Sequence, residues 1–327
     1  MSKVTVLVAV YNAEAFLPAC LDSLMSQTMA DLQVVCVNDG STDGSLAVLQ
    51  EYARRDGRIE VYSLDGNHGQ AYVRNVALSH ACGELVCFLD ADDWFSPDAL
   101  QLAVAEANAH EDADCVLFDV QYEYADGHAE PYTMPTFEQL SGEEAFRLSL
   151  DWQVHGIYLV RAELHKRFPY DDTCKSFSDD NTTRLHFLSS RSVRRCQGVY
   201  HYRQHAASVT YAVSVRRFDL LRANESMKRQ LQQMNASEEV MRRWETMRLL
   251  TLVDLYMFYH CHGSELPYAD RIYGRNELRR VWGNIERSLV ERKTSRKFGY
   301  CLMPAWWLFR AEEWLYFSLR GILGKNK

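Results

Sequence analysis

The apolar run Leu85-Val86-Cys87-Phe88-Leu89 ends in Asp90-Ala91-Asp92-Asp93, three carboxylates within four positions. Like charges this close repel, so a counter-charge is expected where they sit. A hard divalent cation, bound by carboxylate oxygens and shared with a phosphate, would supply it. A solvated acidic turn that caps a helix starting near Pro97 accounts for the same residues. The motif alone does not separate the two readings.

Four further segments carry polar residues where strands run out or in loops. They are Ala9-Val10-Tyr11-Asn12-Ala13, Val37-Asn38-Asp39-Gly40-Ser41-Thr42-Asp43, Asn67-His68-Gly69-Gln70-Ala71-Tyr72-Val73-Arg74-Asn75 and Phe177-Ser178-Asp179-Asp180-Asn181. Each has a local explanation. Asn12 could cap a helix, Asp39-Gly40 is a common turn, and Asp43 is a common helix N-cap. Arg74 could be a surface cation, and Asp179-Asp180 could cap the helix running through Leu185. Together they converge, because the strand ends of a parallel sheet open on one edge, where such sheets bind ligands.

The elements that must position these residues follow from periodicity. Apolar runs predict strands at Val4–Val10, Gln33–Val37, Ile59–Leu64, Leu85–Leu89 and Cys115–Val120. Between them, helical spacing covers Ala13–Gln27, Gly44 to about Arg54, Gly69–Ala81 and Pro97–Ala109. Strands alternating with helices of this length argue for right-handed βαβ units and a mostly parallel sheet. After Gln121 short strands, short helices and polar turns mix. From about Val215 the pattern reads as helix, over 215–234, 237–262 and 275–293. A boundary near 212 gives an α/β domain over 1–212 and a helical region over 213–327.

The order Val-Tyr-Asn, Val-Asn-Asp-Gly-Ser-Thr-Asp, Asn-x-Gly-x-x-x-x-Arg-Asn and Asp-Ala-Asp-Asp resembles family 2 glycosyltransferases over about residues 3–212. The resemblance implies the GT-A fold, a mostly parallel central sheet flanked by helices. It implies inverting transfer of a sugar from a nucleotide diphosphate donor, UDP by family habit, with Mn2+ or Mg2+ as cofactor. By the same resemblance Val10, Tyr11, Asn12 and Asp39 lie at the base and ribose, Arg74 close to the nucleotide, and Asp90 at the ribose. Asp92 matches the metal ligand, with Asp93 supporting it. Ser178-Asp179-Asp180 is similar to the family's Glu-Asp pair, in which the second acid, here Asp180, is the base. Asp179 stands where the family has Glu. Tyr200-His201-Tyr202-Arg203 followed by Ser208 resembles an element near the diphosphate. Ile157-Tyr158-Leu159-Val160-Arg161-Ala162-Glu163-Leu164 resembles a segment that often carries a Lys before Arg-x-Glu-Leu, and that Lys is absent here.

These residue types suit the chemistry independently of the family. A nucleotide diphosphate leaves readily only once its charge is neutralised, which a divalent ion can do without a protein acid. One carboxylate must take the proton of the attacking hydroxyl. An arginine such as Arg203 can bind two diphosphate oxygens at once. Phosphatases of the haloacid-dehalogenase type expect Asp-x-Asp-Gly-Thr, whereas Asp92 is followed by Asp93-Trp94. Sugar nucleotidyltransferases need a Gly-rich Arg/Lys loop after strand one, which Ala9–Phe16 lacks. A non-catalytic nucleotide-sugar-binding or scaffold protein of the same fold would have no need of an acid at 180.

The nine cysteines form no Cys-x-x-Cys pair and mostly sit inside apolar runs, as reduced core residues do in a cytoplasmic protein. Neither a signal peptide nor a membrane span is expected. Nucleic acid is not an expected partner; a nucleotide sugar and a glycan or lipid-linked acceptor are. Residues 271–327 carry +8, against −16 for residues 1–270. Aromatic residues interleave with the cations from Arg292 to the end. That composition suits an interfacial helix on the inner face of an anionic membrane, with Trp306, Trp307 and Trp314 near the headgroups. The same helix packed on the enzyme or in a homo-oligomer is the alternative, which Glu312-Glu313 favours.

Overall fold

A computed structural model of the protein describes residues 3–174, 177–204 and 213–325. They fall into two compact units: residues up to 174 with 179–204, and residues 213–325 with 177–178.

In the first unit the chain runs β1 (Val4–Val10), α1 (Leu17–Met25), β2 (Leu32–Asn38), α2 (Ser45–Arg55), β3 (Ile59–Ser63), α3 (Gln70–Ser79) and β4 (Leu85–Phe88). It continues through β5 (Trp94–Phe95), α4 (Ala99–Ala109), β6 (Ala113–Tyr124), β7 (Ala129–Pro131), β8 (Gln139–Leu140) and α5 (Gly142–Ser149). It closes with β9 (Tyr158–Arg161), α6 (Ala162–Arg167), α7 (Asp179–Ser189) and β10 (Ser192–Gln204). One sheet takes all the strands in the order β3-β2-β1-β4-β9-β6-β10-β5, with β7 on β6 and β8 on β10. β1 is parallel to β2 and β4, β2 to β3, and β6 to β10; β9 lies antiparallel between β4 and β6. This is the mostly parallel α/β architecture expected from the alternating pattern.

The valines of β1 show why the strand is central. Val4, Val6, Val8 and Val10 pack on one face with Leu17, Leu21, Leu49 and Phe118. Leu7 points to the other face, with Val35, Val73, Val86 and Phe187. Both faces are therefore covered by helices, the condition under which a strand can be apolar on both sides. Helix α1 starts at Leu17 rather than Ala13, because the N–H groups of residues 12–14 bond instead to Ser41, Ser45 and Asp43, in the loop after β2 and the first residue of α2. Its second residue, Pro18, sits where no intrahelical N–H is needed.

In the second unit a 3-10 turn (Val215–Phe218) leads to α8 (Asp219–Gln233), α9 (Glu238–His262), α10 (Tyr268–Asn284), α11 (Arg292–Ser295) and α12 (Trp306–Ile322). The helix expected over 275–293 is displaced. It begins just after Pro267, whose fixed φ suits a helix start, and ends at Gly283-Asn284, both poor helix formers. Phe218, Leu252, Tyr256, Val281, Phe309 and Phe317 meet in its core. The aromatic tail is thus half core: α12 buries Phe309, Glu312, Glu313 and Phe317 and exposes Trp307, Trp314, Leu315, Leu319 and Ile322. Trp306 does not join the outward face, being partly buried against Phe309 and Trp282. Among the described residues no helix is long and apolar enough to cross a membrane.

Candidate active site

The loop after β1 is bonded to the loop after β2. Asn12 has φ +49°, a left-handed conformation that Asn tolerates better than most residues. Its N–H donates to Ser41 Oγ at 3.0 Å and its Oδ1 accepts from the Thr42 N–H at 2.8 Å. The Glu14 N–H donates to Asp43 Oδ2, and Glu14 Oε2 accepts from the Gly44 N–H. Asn12 therefore joins two loops rather than capping α1. Tyr11 is left half exposed between them, while the Val10 side chain lies in the core and its carbonyl accepts from the Asp39 N–H.

Asp39 is buried. Its two oxygens accept from the backbone N–H groups of His68 (2.8 Å) and Gly69 (3.0 Å), so it sets the loop that starts α3. Gly69 has φ +96°, which a side chain would resist. At Gly40 (φ +67°) an added Cβ would meet Gly66 Cα at 2.7 Å, so this turn also requires glycine.

From α3, Arg74 reaches the acid loop. It is buried, which rules out the alternative of a surface cation, and its guanidinium lies 3.9 Å from the Phe88 ring centroid. It donates to Asp90 Oδ1 at 2.6 Å and to Asp179 Oδ2 at 3.3 Å. Gln70 Nε2 donates to the same Asp90 oxygen at 2.8 Å. Burial works against the charge on Arg74, but Asp90, Tyr170 and Asp179 outweigh it and raise its pKa. Burial pushes the Asp90 carboxyl up, and Arg74 opposes that rise.

Asp93 points the other way. The Tyr200 hydroxyl donates to its Oδ2 at 2.7 Å and the Arg203 backbone N–H to its Oδ1 at 2.8 Å. The Tyr200 hydroxyl also accepts from the Asp90 N–H at 3.2 Å. Burial, then Asp90 and Asp92, push the Asp93 carboxyl up to about 8. Arg203 Nε donates to the Asp92 carbonyl at 2.8 Å, and its guanidinium lies over the Trp94 ring at 4.7 Å. Strand β10 thus clamps the acid loop at three points. Ser208, expected in the same element, lies outside the described residues.

The donor set allows a limited role for a metal. Both Asp93 oxygens accept hydrogen bonds and Asp90 is held by Arg74 and Gln70. The half-buried Asp92 adds a further hard-oxygen carboxylate at the same turn. Among the described residues no three His, Cys, Asp or Glu side chains are grouped to hold an ion. One carboxylate with the remaining oxygens from phosphate and water is how Mg2+ is commonly bound beside a nucleotide, so the residues fit such an ion.

Asp179 and Asp180 form the first turn of α7, where acids favour the helix dipole. Asp179 faces Arg74. Asp180 instead lines a small pocket with Ser149, Trp152, Val154, Thr183 and Arg184. Arg184 Nη2 lies 3.9 Å from Asp180 Oδ2, yet burial prevails and pushes the Asp180 carboxyl up to about 6. A carboxylate so poised can accept a proton near neutral pH. Sequence reasoning did not single out Gln70, Trp152 or Arg184. Arg184 follows Asp180 by one helical turn, a readable signal; Trp152 had none.

The family description Glycosyl transferase family 2 matches residues 5–165. EpsH of Bacillus subtilis, a glycosyltransferase by name, is 31% identical over 257 residues, covering 76% of this chain and 74% of EpsH. Among solved structures, S. aureus TarS 1-349 in complex with UDP-GlcNAc superposes with a TM-score of 0.75 at 19% identity, over 99% of this chain and 92% of that one. The mannosyltransferase PcManGT from Pyrobaculum calidifontis, in complex with GDP-Man and Mn2+, gives 0.51 at 17% identity, over 99% and 88%. These likenesses show the GT-A fold.

Proposed function

The chain belongs to glycosyltransferase family 2 and is a glycosyltransferase, and from that premise we propose that it is an inverting, divalent-metal-dependent enzyme using a nucleotide diphosphate sugar. UDP is the nucleotide proposed, since the TarS fragment was crystallised with UDP-GlcNAc. The acceptor is a hydroxyl of a glycan or lipid-linked glycan of a cell-surface polysaccharide. One observation carries the reading: Arg74 ties Asp90 to Asp179, and Asp180, the next residue, opens on a separate pocket.

In this reading residues 1–212 carry the reaction. Tyr11 and the loop set by Asn12 and Asp39 hold the base and ribose, with Val10 shaping the loop through its carbonyl. Asp90, fixed by Arg74, faces the ribose. Asp92 would hold Mn2+ or Mg2+, and such an ion would supply positive charge to neutralise the leaving group. The PcManGT complex with GDP-Man and Mn2+ supports that choice. Arg203 adds positive charge at the same end. Asp180 takes the acceptor proton as the acceptor oxygen bonds to the anomeric carbon and the bond to the diphosphate oxygen breaks. A single displacement inverts that carbon.

The test is a panel of nucleotide sugars, with nucleoside diphosphate release measured with and without acceptor and the product anomer assigned by NMR. Inversion supports the reading. Retention of configuration removes Asp180 as a simple base.

For residues 213–327 the outward face of α12 favours a second element of the proposal. That face, with the +8 charge of residues 271–327, lies on the anionic inner surface of the membrane and makes the enzyme peripheral there.

A further inference from the structure

The pocket beside Asp180 has a feature that donor chemistry does not use. Trp152 follows α5, the residue is 50% exposed, and its φ is +59°. A bulky side chain in the left-handed region is a genuine outlier, and such strain persists only where the surroundings enforce it. Here they do. The Tyr132 hydroxyl donates to the Trp152 carbonyl, and the buried Arg184 guanidinium lies 5.8 Å from the ring centroid. Across the pocket Gly156 is so close to α7 that an added Cβ would meet Thr183 Oγ1 at 3.0 Å. Trp152 thus borders the small pocket that Asp180 lines and keeps about half of its surface open to water beside it.

We propose that Trp152 is the stacking platform of the acceptor, and that the acceptor therefore offers its hydroxyl from a pyranose ring. This rests on the reading of Asp180 as the base. A pyranose has one face of C–H groups and a rim of hydroxyls. The electron-rich face of an indole suits the C–H face, and stacking leaves the rim hydroxyls free to point at a carboxylate. A glycerol or other open polyol has no such face. Trp152 is therefore a specificity-determining residue, and the strained backbone fixes the plane on which the sugar lies.

The full-length protein is tested with the nucleotide sugar it hydrolyses in water, so that hydrolysis reports the donor site in every variant. The acceptor probes are p-nitrophenyl glucoside, galactoside and N-acetylglucosaminide, with glycerol as the ringless control. Trp152→Gly accepts the positive φ without strain, so loss of the fold is not the expected outcome. The ratio of transfer to hydrolysis should fall about tenfold or more in Trp152→Gly, chiefly through a higher KM for the glycoside. Trp152→Phe should recover most of it. An unaltered ratio in Trp152→Gly, or a Trp152→Phe as poor as Trp152→Gly, overturns the platform. Wild-type protein that hydrolyses donor but prefers glycerol, or uses none of the glycosides, overturns the pyranose assignment. Transfer by Asp180→Asn at the wild-type rate removes the underlying reading, and the platform with it.

Discussion

Arg74 donates to Asp90 across 2.6 Å from a position almost wholly withdrawn from solvent. The second branch of its guanidinium reaches Asp179, so one buried cation holds two carboxylates from α7 and the end of β4. Arg74→Met should therefore leave two partly buried acids without their counter-charge. The expected loss is about 3 kcal/mol, at the lower end for breaking a buried pair because both acids keep about a quarter of their side-chain surface in water. Urea denaturation measures it. Arg74→Lys should recover little, since an ammonium is a point charge and not a fork. A Met variant as stable as the parent would show that the pair does not support the fold.

The neighbouring acids should separate by role. Asp92→Asn should leave the thermal midpoint nearly unchanged but lower metal-dependent donor turnover by about 100-fold, the order expected when a metal-bound carboxylate is lost. Asp93→Asn should instead lower stability, because its oxygens accept from Tyr200 and Arg203. Turnover in EDTA, with Mn2+ added back, completes the measurement. Full activity in EDTA would remove the metal from the proposal.

What the sequence made legible here was local. The apolar run of β4 and the acids at its end stand out because strand period and strand end are written in consecutive residues. The burial of Arg74 is not, since Phe88 and Tyr170 create it from distant parts of the chain. Nor does chain order reveal that β9 inserts antiparallel between β4 and β6. Trp152 could not be found at all, because its distinguishing property is a backbone angle set by Tyr132 and Arg184. The start of α10 is readable at Pro267, whose fixed φ suits a helix start.

Asp180 predicts a pH profile. A base works unprotonated, and burial holds this carboxyl at about 6. kcat/KM should therefore be flat above that pH and fall about tenfold per unit below it. Asp180→Asn should lower kcat by about 10²–10⁴ with little change in nucleotide affinity. If Asp179→Asn is the inactive variant and Asp180→Asn is not, the two roles are exchanged.

Glu313 makes a stability prediction in the second unit. It is fully buried on α12, and burial, then Glu312, push its carboxyl from 4.5 up to about 9. Between those values the folded protein keeps a proton that the unfolded chain releases. Stability is therefore greatest at low pH and declines as pH rises toward 9, by up to about 1.4 kcal/mol per unit from this group. Tyr256, Tyr300 and Cys301 also lie near the pair but titrate as neutral acids well above neutrality. Glu313→Gln should flatten the curve between pH 5.5 and 8.5 and leave the variant the more stable at the upper end. Parallel curves for the two proteins would show that Glu313 does not carry the proton.

The α12 face is best tested without removing the tail. Ending the chain near Val290 would take Phe309 and Phe317 out of the core of the second unit, so a truncated protein would report unfolding. Trp307, Trp314 and Ile322 are exposed and can be replaced by Ser together. The unmodified protein should pellet with phosphatidylserine vesicles at low salt, because each cation near such a surface contributes about 1 kcal/mol and the aromatic face adds apolar contact. Raised salt should weaken the binding by screening, and the triple variant, which keeps the cations but loses the apolar contact, should pellet clearly less than the unmodified protein at every salt. Its donor hydrolysis should persist, since every proposed site residue belongs to the first unit. The competing outcome is specific. If the unmodified protein ignores vesicles and sediments as a dimer while the triple variant sediments as a monomer, then α12 joins two copies of the chain and the membrane assignment fails.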